Sequence, residues 1–252
     1  MAYDRTGDGP ALIAVTGALN TRRSQSWPRL AELLSPQLTV YTYDRRGRGE
    51  SGDTPPYAVE REVEDIAALI AESGGSAALY GHSSGACLAA EAARSLDGVV
   101  TKLAMYDAPW NDDPAVQQAW TTYLAQVQKA LAEGRRGDAA ALFMAYIGIP
   151  EERIAGMREA PFWSGIEAVA PTLAYDHVEV MGPTAAVPRE RLAQITAPTL
   201  MMCGQRQQPF MCATAQTVAA SIPGAQLRTV SDQSHDVQPE VLAPLLLEFL
   251  LA

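Results

Sequence analysis

The sequence predicts an α/β protein built on a mostly parallel, doubly wound sheet, with a helical segment inserted at about residues 110–191. Three observations predict it. Short apolar runs bounded by Gly or Pro recur along the chain, helical patterns lie between them, and residues 110–191 carry helices and prolines without a buried-strand run. Continuous apolar runs of this length suit strands buried on both faces. Strands alternating with helices imply a parallel sheet covered by helices on both sides.

The elements follow in order. Ala11-Leu12-Ile13-Ala14-Val15 is the first strand run, ending at Gly17, and Leu38 to Tyr43 is the second, closed by Asp44-Arg45-Arg46-Gly47. Val59, Val63, Ile66, Ala67 and Ile70 then recur at helical spacing, with Glu60, Arg61, Glu62, Glu64 and Asp65 turned outward to a solvated face. Ser73-Gly74-Gly75 stops that helix. Ser76 to Tyr80 is the next strand, and Ser84 to Leu96 the next helix, with Leu88, Ala92 and Leu96 on one stripe. Leu103 to Tyr106 is the fourth run, followed by helices at Ala115 to Glu133 and Asp138 to Ile147 and by breaks at Pro150, Pro161, Pro171, Pro183 and Pro188. Thr199 to Cys203 and Gln226 to Val230 complete the strands, and Val241, Leu242, Leu245, Phe249 and Leu250 mark a last amphipathic helix. Residues 1–109 and 192–252 are therefore expected to form the core and residues 110–191 a helical cap or lid. Most aromatics of that insertion are expected to pack as its own core. Trp110, Phe143, Phe162 and Trp163 are the candidates for facing a substrate.

Composition excludes several classes. At 252 residues the chain suits one large domain or two small ones. A chain this long buries about 70–75% of its unfolded surface and needs no disulfide or metal staple. Hydrophobic residues at 48% and charged residues at 19% argue against global disorder. With 19 Lys+Arg against 29 Asp+Glu the formal charge is −10, so no nucleic-acid partner is expected. No apolar run approaches the ~20 residues of a membrane span. The start, Met1-Ala2-Tyr3-Asp4-Arg5, lacks the layout of a signal peptide, so a cytoplasmic location is expected. Cys87, Cys203 and Cys212 are odd in number and lack metal-ligand spacing; they read as reduced thiols packed as small hydrophobes. With no metal cluster and no phosphate-binding glycine loop, neither a metal nor a cofactor is expected. A homodimer is left open.

One motif carries chemistry. Gly81-His82-Ser83-Ser84-Gly85 matches G-x-S-x-G, for which average composition predicts on the order of 0.1 chance matches in such a chain. Its setting strengthens it: the run before it reads as a strand and the segment after it as a helix, the context this motif demands. The glycines admit a tight turn that holds Ser83 on a strained corner near the positive end of the helix dipole. A helix cap using Ser83 or Ser84 is the plainer alternative. A serine nucleophile needs a base. The histidines are His82, His177 and His235. His82 adjoins Ser83 and points elsewhere, and His177 lies in the insertion. His235 follows the last strand run, in the strand-end loops where catalytic groups gather in α/β sheets, so it is the base candidate.

These residues resemble the α/β-hydrolase fold superfamily over nearly the whole chain. Ile13-Ala14-Val15-Thr16-Gly17-Ala18 sits where the family has a strand followed by His-Gly, and Tyr43-Asp44-Arg45-Arg46-Gly47-Arg48-Gly49-Glu50-Ser51 matches its D-x-R-G-x-G-x-S loop. The resemblance implies a helical cap after the sixth strand and serine-dependent hydrolysis without a cofactor. It also implies an oxyanion hole from the backbone N–H groups of Ala18 and Ser84, which the Thr16 departure leaves intact. Asp44, Arg45 and Arg48 are read as a structural loop, binding backbone groups and each other, rather than as substrate ligands.

A second departure is more serious. The family's usual acid follows the strand at Thr199 to Cys203, but Gly204-Gln205-Arg206-Gln207-Gln208-Pro209 offers none, and no carboxylate occurs between Glu190 and Asp232. Some members place the acid at the strand end that Asp107 occupies here, and Asp107 is taken as the orienting acid. Asp232 or Asp236, a Gln207 or Gln208 substitute, and no partner at all remain as alternatives. The functional expectation is hydrolysis of an ester, thioester or lactone of a mainly apolar small molecule. The alternative is a cyclase, lyase or isomerase of secondary metabolism using the same pocket, prompted by the missing acid. A non-catalytic binder would have no need of both Ser83 and His235.

Overall fold

The structure, a computed structural model, describes residues 1–24, 26–206 and 209–252. Among the described residues seven strands form one sheet: β1 (Tyr3–Thr6), β2 (Ala11–Val15), β3 (Thr39–Tyr43), β4 (Ala77–His82), β5 (Val100–Tyr106), β6 (Thr199–Gly204) and β7 (Gln226–Val230). Their order is β1-β3-β2-β4-β5-β6-β7. Every neighbouring pair is parallel except β1 with β3, where Tyr3 faces Tyr43 and Thr6 faces Val40. The six apolar runs all became strands. The edge strand β1 carried no such signal, because its four residues, Tyr-Asp-Arg-Thr, are all exposed and it is held by ladder hydrogen bonds rather than burial.

Side chains along the central strands alternate between two cores, as a pleat requires. Leu12 and Ala14 point to the face covered by α1 (Trp27–Leu34) and α10 (Pro239–Leu251), against Trp27, Leu30, Leu242 and Leu246. Ile13 and Val15 point to the other face, against α2 (Val59–Glu72), α3 (Ser84–Ser95) and α9 (Pro209–Ser221). Burying one Leu or Ile on either side contributes about 1.5–3 kcal/mol. Helix α1 escapes the sequence reading although Trp27, Leu30, Ala31 and Leu34 form a buried stripe. Helix α9 is rich in Ala and Thr and shows no clear stripe to read.

Residues between β5 and β6 are helical: α4 (Pro114–Ala132), α5 (Arg136–Tyr146), α6 (Glu151–Arg158), α7 (Trp163–Val169), a π-helical stretch at Tyr175–Val180, and α8 (Arg189–Leu192). The Asp113 side chain caps α4 by accepting from the Ala115 and Val116 N–H groups. Pro150 and Pro188 sit directly before α6 and α8, and Pro171 lies in a 3-10 turn, so the breaks follow the proline positions. Counted along this seven-stranded sheet, the insertion follows the fifth strand, where the resemblance counted it after the sixth.

Two further expectations need correction. Cys203 and Cys212 form a disulfide instead of remaining thiols: α9 folds back over the end of β6 and brings their Cα atoms to 5.5 Å, within bonding range. Cys87 is a buried free cysteine. Glu62 does not face solvent with the rest of the acidic side of α2 but is 1% exposed, drawn inward by the Arg45 guanidinium.

Candidate active site

Parallel strands put all their C-terminal ends on one rim, and the chain leaves β2 toward β3 on one side while β4 lies on the other. Ligand sites in open α/β sheets form at such a reversal. Ser83 stands there, between β4 and α3, with φ 58° and ψ −131°. A non-glycine residue in this region costs about 1–3 kcal/mol and is tolerated only where its surroundings impose it. Here they do. A Cβ at Gly81 would lie 2.5 Å from Ala86 Cα, and one at Gly85 would lie 2.2 Å from Val15 O, so only glycines let strand, turn and helix approach this closely. The turn is tied down as the Ser83 N–H donates to Tyr106 O at 2.9 Å and the Ala86 N–H to Ser83 O at 2.8 Å.

His235 lies on the loop after β7, and three successive carbonyls of that loop are held. The Arg206 N–H donates to Gln233 O at 2.7 Å, the Tyr106 hydroxyl to Ser234 O at 2.7 Å, and His82 Nε2 to His235 O at 2.8 Å. A carbonyl only accepts, so the last contact puts a proton on His82 Nε2. Burial first, then the neighbouring His235 ring, pushes the His82 imidazolium down to about 4, which keeps it neutral. Gly204 makes room for this loop, since a Cβ there would lie 2.6 Å from Gln233 O.

Asp107, fully buried at the end of β5, faces the same imidazole. Its Oδ2 lies 3.2 Å from His235 Nδ1, and its Oδ1 accepts the Gly204 N–H at 3.3 Å. A carboxylate at Nδ1 selects the tautomer with hydrogen on that nitrogen and leaves Nε2 with its lone pair. Asp107 also has a positive φ, 50°, where the chain leaves β5. Asp232 and Asp236 are exposed, and Asp232 pairs with Arg206 at 2.9 Å. The Gln207 and Gln208 alternatives lie outside the described residues. Among the described residues no hydrogen bond joins Ser83 Oγ to the imidazole of His235; such contacts often tighten only when substrate is bound.

The loop after β2 passes directly over the serine. A Cβ on Gly17 would lie 3.0 Å from Ser83 Cβ and 3.5 Å from Ser83 Oγ, so the Gly17–Ala18 backbone is within reach of any group bonded to that oxygen. Ser84 opens α3, where helix geometry leaves its N–H without an intrahelical partner and the dipole favours negative charge. Thr16 itself is fully buried.

The four aromatic candidates fall in different surroundings. Trp110 is buried in the main core, and Phe143 packs against that core and against His177. Trp163 belongs to a small cluster within the insertion, with Met144 and Ile154, while Phe162 is 55% exposed. His177 is buried with Nδ1 2.9 Å from the Tyr123 hydroxyl, and burial pushes its pKa down to about 4.

Asp44, Arg45 and Arg48 are all buried; the Arg48 N–H donates to Arg45 O at 3.1 Å and both guanidinium groups bind backbone carbonyls, but no side chain of the three binds another's side chain. Asp44 accepts from Arg22 and from the Glu50 N–H, while Arg45 and Arg48 share Asp176 of the insertion. The sequence reading missed Tyr106 and Asp176, and it gave His82 no role. Neither Tyr106 nor Asp176 lies in a motif. Position alone, one residue before Asp107 and one before His177, was the signal available. Among the described residues no cluster of His, Cys, Asp or Glu is arranged to hold a metal ion.

A serine at a strand-to-helix turn on the rim of a doubly wound parallel sheet is the architecture of the α/β hydrolases. The chain belongs to that family: the alpha/beta hydrolase family model matches residues 12–245. A solved alpha/beta hydrolase from Sphaerobacter thermophilus DSM 20745 is 46% identical and superposes with a TM-score of 0.87, over 99% of this chain and 95% of that one. A hydrolase from Pseudomonas aeruginosa PA01 is 25% identical, with a TM-score of 0.73 over 99% and 94% of the two chains. An enol-lactonase from Burkholderia xenovorans LB400, 19% identical with a TM-score of 0.74 over 100% and 96%, shares the fold. The protein is an enzyme of hydrolase type. No helix among the described residues is long and apolar enough to cross a membrane.

Proposed function

We propose that the protein is a cofactor-independent serine hydrolase that cleaves an ester, thioester or lactone of a mainly apolar small molecule. The observation that carries this reading is the 3.2 Å approach of Asp107 Oδ2 to His235 Nδ1, at the rim where Ser83 stands in a strained turn. It supports Asp107 in place of the acid that the loop after β6 lacks, and so favours hydrolysis over a non-hydrolytic cyclase, lyase or isomerase.

In this reading Ser83 Oγ attacks the substrate carbonyl as its proton passes to His235 Nε2. The carbonyl π electrons become an oxyanion, which the Ala18 and Ser84 N–H groups stabilise. Asp107 holds the tautomer and stabilises the imidazolium without taking the proton itself. The tetrahedral intermediate then expels the alcohol or thiol, which leaves with the proton from His235. A water molecule, deprotonated by the same nitrogen, hydrolyses the acyl-Ser83 ester and restores the serine. Residues 110–191 act as the lid that excludes bulk water, and the aromatic side chains among them suit an apolar acyl group.

The test is covalent labelling. A fluorophosphonate is expected to modify Ser83 in the parent and to leave Ser83→Ala unlabelled, with p-nitrophenyl ester turnover lost in parallel. Undiminished labelling of Ser83→Ala overturns the proposal.

A further inference from the structure

Four buried charged groups lie behind the loop that crosses Ser83. Arg48 Nη1 donates to Gly17 O at 2.7 Å, and Arg45 Nη1 donates to Thr16 O at 3.1 Å. Gly17 O also takes a longer bond, 3.4 Å, from the Asn20 N–H. Both guanidinium groups converge on Asp176, in the π-helical stretch of the insertion: Oδ1 is 2.6 Å from Arg45 Nη1 and Oδ2 is 2.5 Å from Arg48 Nη2. Arg45 completes its fork on Glu62 at 2.6 and 2.7 Å, and Glu62 also accepts from the Tyr57 hydroxyl at 2.7 Å.

All four charged side chains are at most 1% exposed. Two cations and two carboxylates balance, but burying them is costly, and apolar residues of similar volume often stabilise a core as well or better. Burial works to raise the pKa of Asp176, yet Arg45 and Arg48 outweigh it and hold the carboxyl down at about 2. Asp176 is thus charged at neutral pH in spite of its burial, and stability alone does not account for the cluster.

Geometry supplies a reason. A trans peptide points its C=O and N–H in opposite directions. With Gly17 O fixed on Arg48, the Ala18 N–H is aimed away from Arg48. Gly17 is also the residue at which a Cβ would lie 3.0 Å from Ser83 Cβ, so this peptide runs close beside the serine. We propose that Asp176, acting through Arg48, is a positioning residue that locks the Gly17–Ala18 peptide so that the Ala18 N–H faces the oxyanion. Arg45 braces the preceding carbonyl, and Glu62 and Tyr57 hold Arg45. The insertion thereby helps to build the oxyanion hole without touching substrate at this point. This inference rests on the serine-hydrolase reading above.

The experiment compares Asp176→Asn and Arg48→Lys with the parent in three measurements. These are kcat and KM for a p-nitrophenyl ester, Ki for an alkyl trifluoromethyl ketone whose hemiketal oxygen occupies the oxyanion position, and Tm. We expect kcat to fall about 10- to 100-fold with KM nearly unchanged, less than the roughly 100- to 1,000-fold that deleting an oxyanion donor costs. The ketone Ki should rise by the same factor. A merely structural role moves Tm but not the ketone affinity of the folded fraction. Folded variants with parental kcat, or with reduced kcat and parental ketone Ki, overturn the inference. If neither variant folds, the crystal structure of the fluorophosphonate-labelled parent decides. A phosphoryl oxygen on the Ala18 N–H with Gly17 O still on Arg48 supports the inference, and a rotated Gly17–Ala18 peptide overturns it. Failure of the parent to take label on Ser83 overturns the hydrolase reading and this inference together, whereas label with a rotated peptide removes this inference alone.

Discussion

Asp107 and Asp176 are both fully buried, and each faces cationic or potentially cationic side chains. Asp107 faces an imidazole, whose two ring nitrogens can donate and accept hydrogen bonds and whose side chain is 42% exposed. Asp176 faces two guanidinium groups that are fully buried and always charged. The same residue type is therefore used in two ways. Beside a half-exposed imidazole, in the proposed mechanism, a buried carboxylate holds a tautomer. Between two permanent cations it fixes backbone. Burial of an acid alone does not distinguish chemistry from architecture; the exposure and the chemical type of its partner do.

The sharpest test of this contrast is Asp107→Asn. An asparagine keeps an acceptor for the Gly204 N–H but favours the wrong tautomer of His235, and kcat is expected to fall about 1,000- to 10,000-fold, the range known for such a change in a serine triad. Thermal stability should change little. Asp232→Asn and Asp236→Asn, which remove exposed carboxylates, should leave the rate within about 3-fold. Steady-state kinetics of the three variants settles it: equal losses at all three positions would break the distinction between Asp107 and its neighbours.

The converse pattern is expected at the charge cluster. Glu62→Ala leaves Arg45 buried without its bidentate partner, and removing one member of a buried pair costs about 3–5 kcal/mol. Urea denaturation should show that loss as a shift in midpoint at constant slope. A variant as stable as the parent would show that Asp176 alone satisfies Arg45.

The two histidines away from the proposed proton relay extend the comparison to pH. His177 is neutral in the folded protein down to about pH 4, whereas its unfolded form takes up a proton around pH 6.5. Between those values the unfolded state binds more protons, so stability falls as pH falls, by about 3 kcal/mol in total for this group. Asp176, held at about 2, adds its own loss only below the ordinary carboxylate range, near pH 3.8. His82, likewise buried and held at about 4, adds a similar loss over the same window, so melting curves from pH 7 to pH 4 should show a steady decline that His177→Gln makes about half as steep. A parent whose Tm is constant across this window contradicts the neutral, buried state of His177.

Strand and helix positions were legible in the sequence where burial wrote them: the six apolar runs and the stripe of α2 announce themselves. The edge strand β1 did not, since its pairing is carried by backbone groups that any side chain permits. Ser83 could be read because the turn demands glycines at fixed offsets, and Asp107 because the chain between Glu190 and Asp232 holds no acid. Asp176 and Glu62 could not be read that way. Each lies in a helical segment where a carboxylate ordinarily faces water, and only the packing of α2 and of the insertion around the loop after β3 brings them to Arg45. The pairing of Cys203 with Cys212 was hidden for a similar reason, because α9 itself carried no periodic signal to show the chain folding back.

That disulfide gives the smallest expected effect and a last way to sharpen the contrast. It closes a loop of sequence separation 9, for which constraint of the unfolded chain accounts for about 2–3 kcal/mol. It also adjoins Gly204, whose N–H donates to Asp107. If the bond serves only stability, Cys212→Ser should lower the denaturation midpoint accordingly and leave kcat within about 3-fold of the parent. Should kcat instead drop toward the level of Asp107→Asn while the protein stays folded, the disulfide positions the acid through Gly204, and the Asp107–His235 pair is braced as firmly as the arginine cluster across the site.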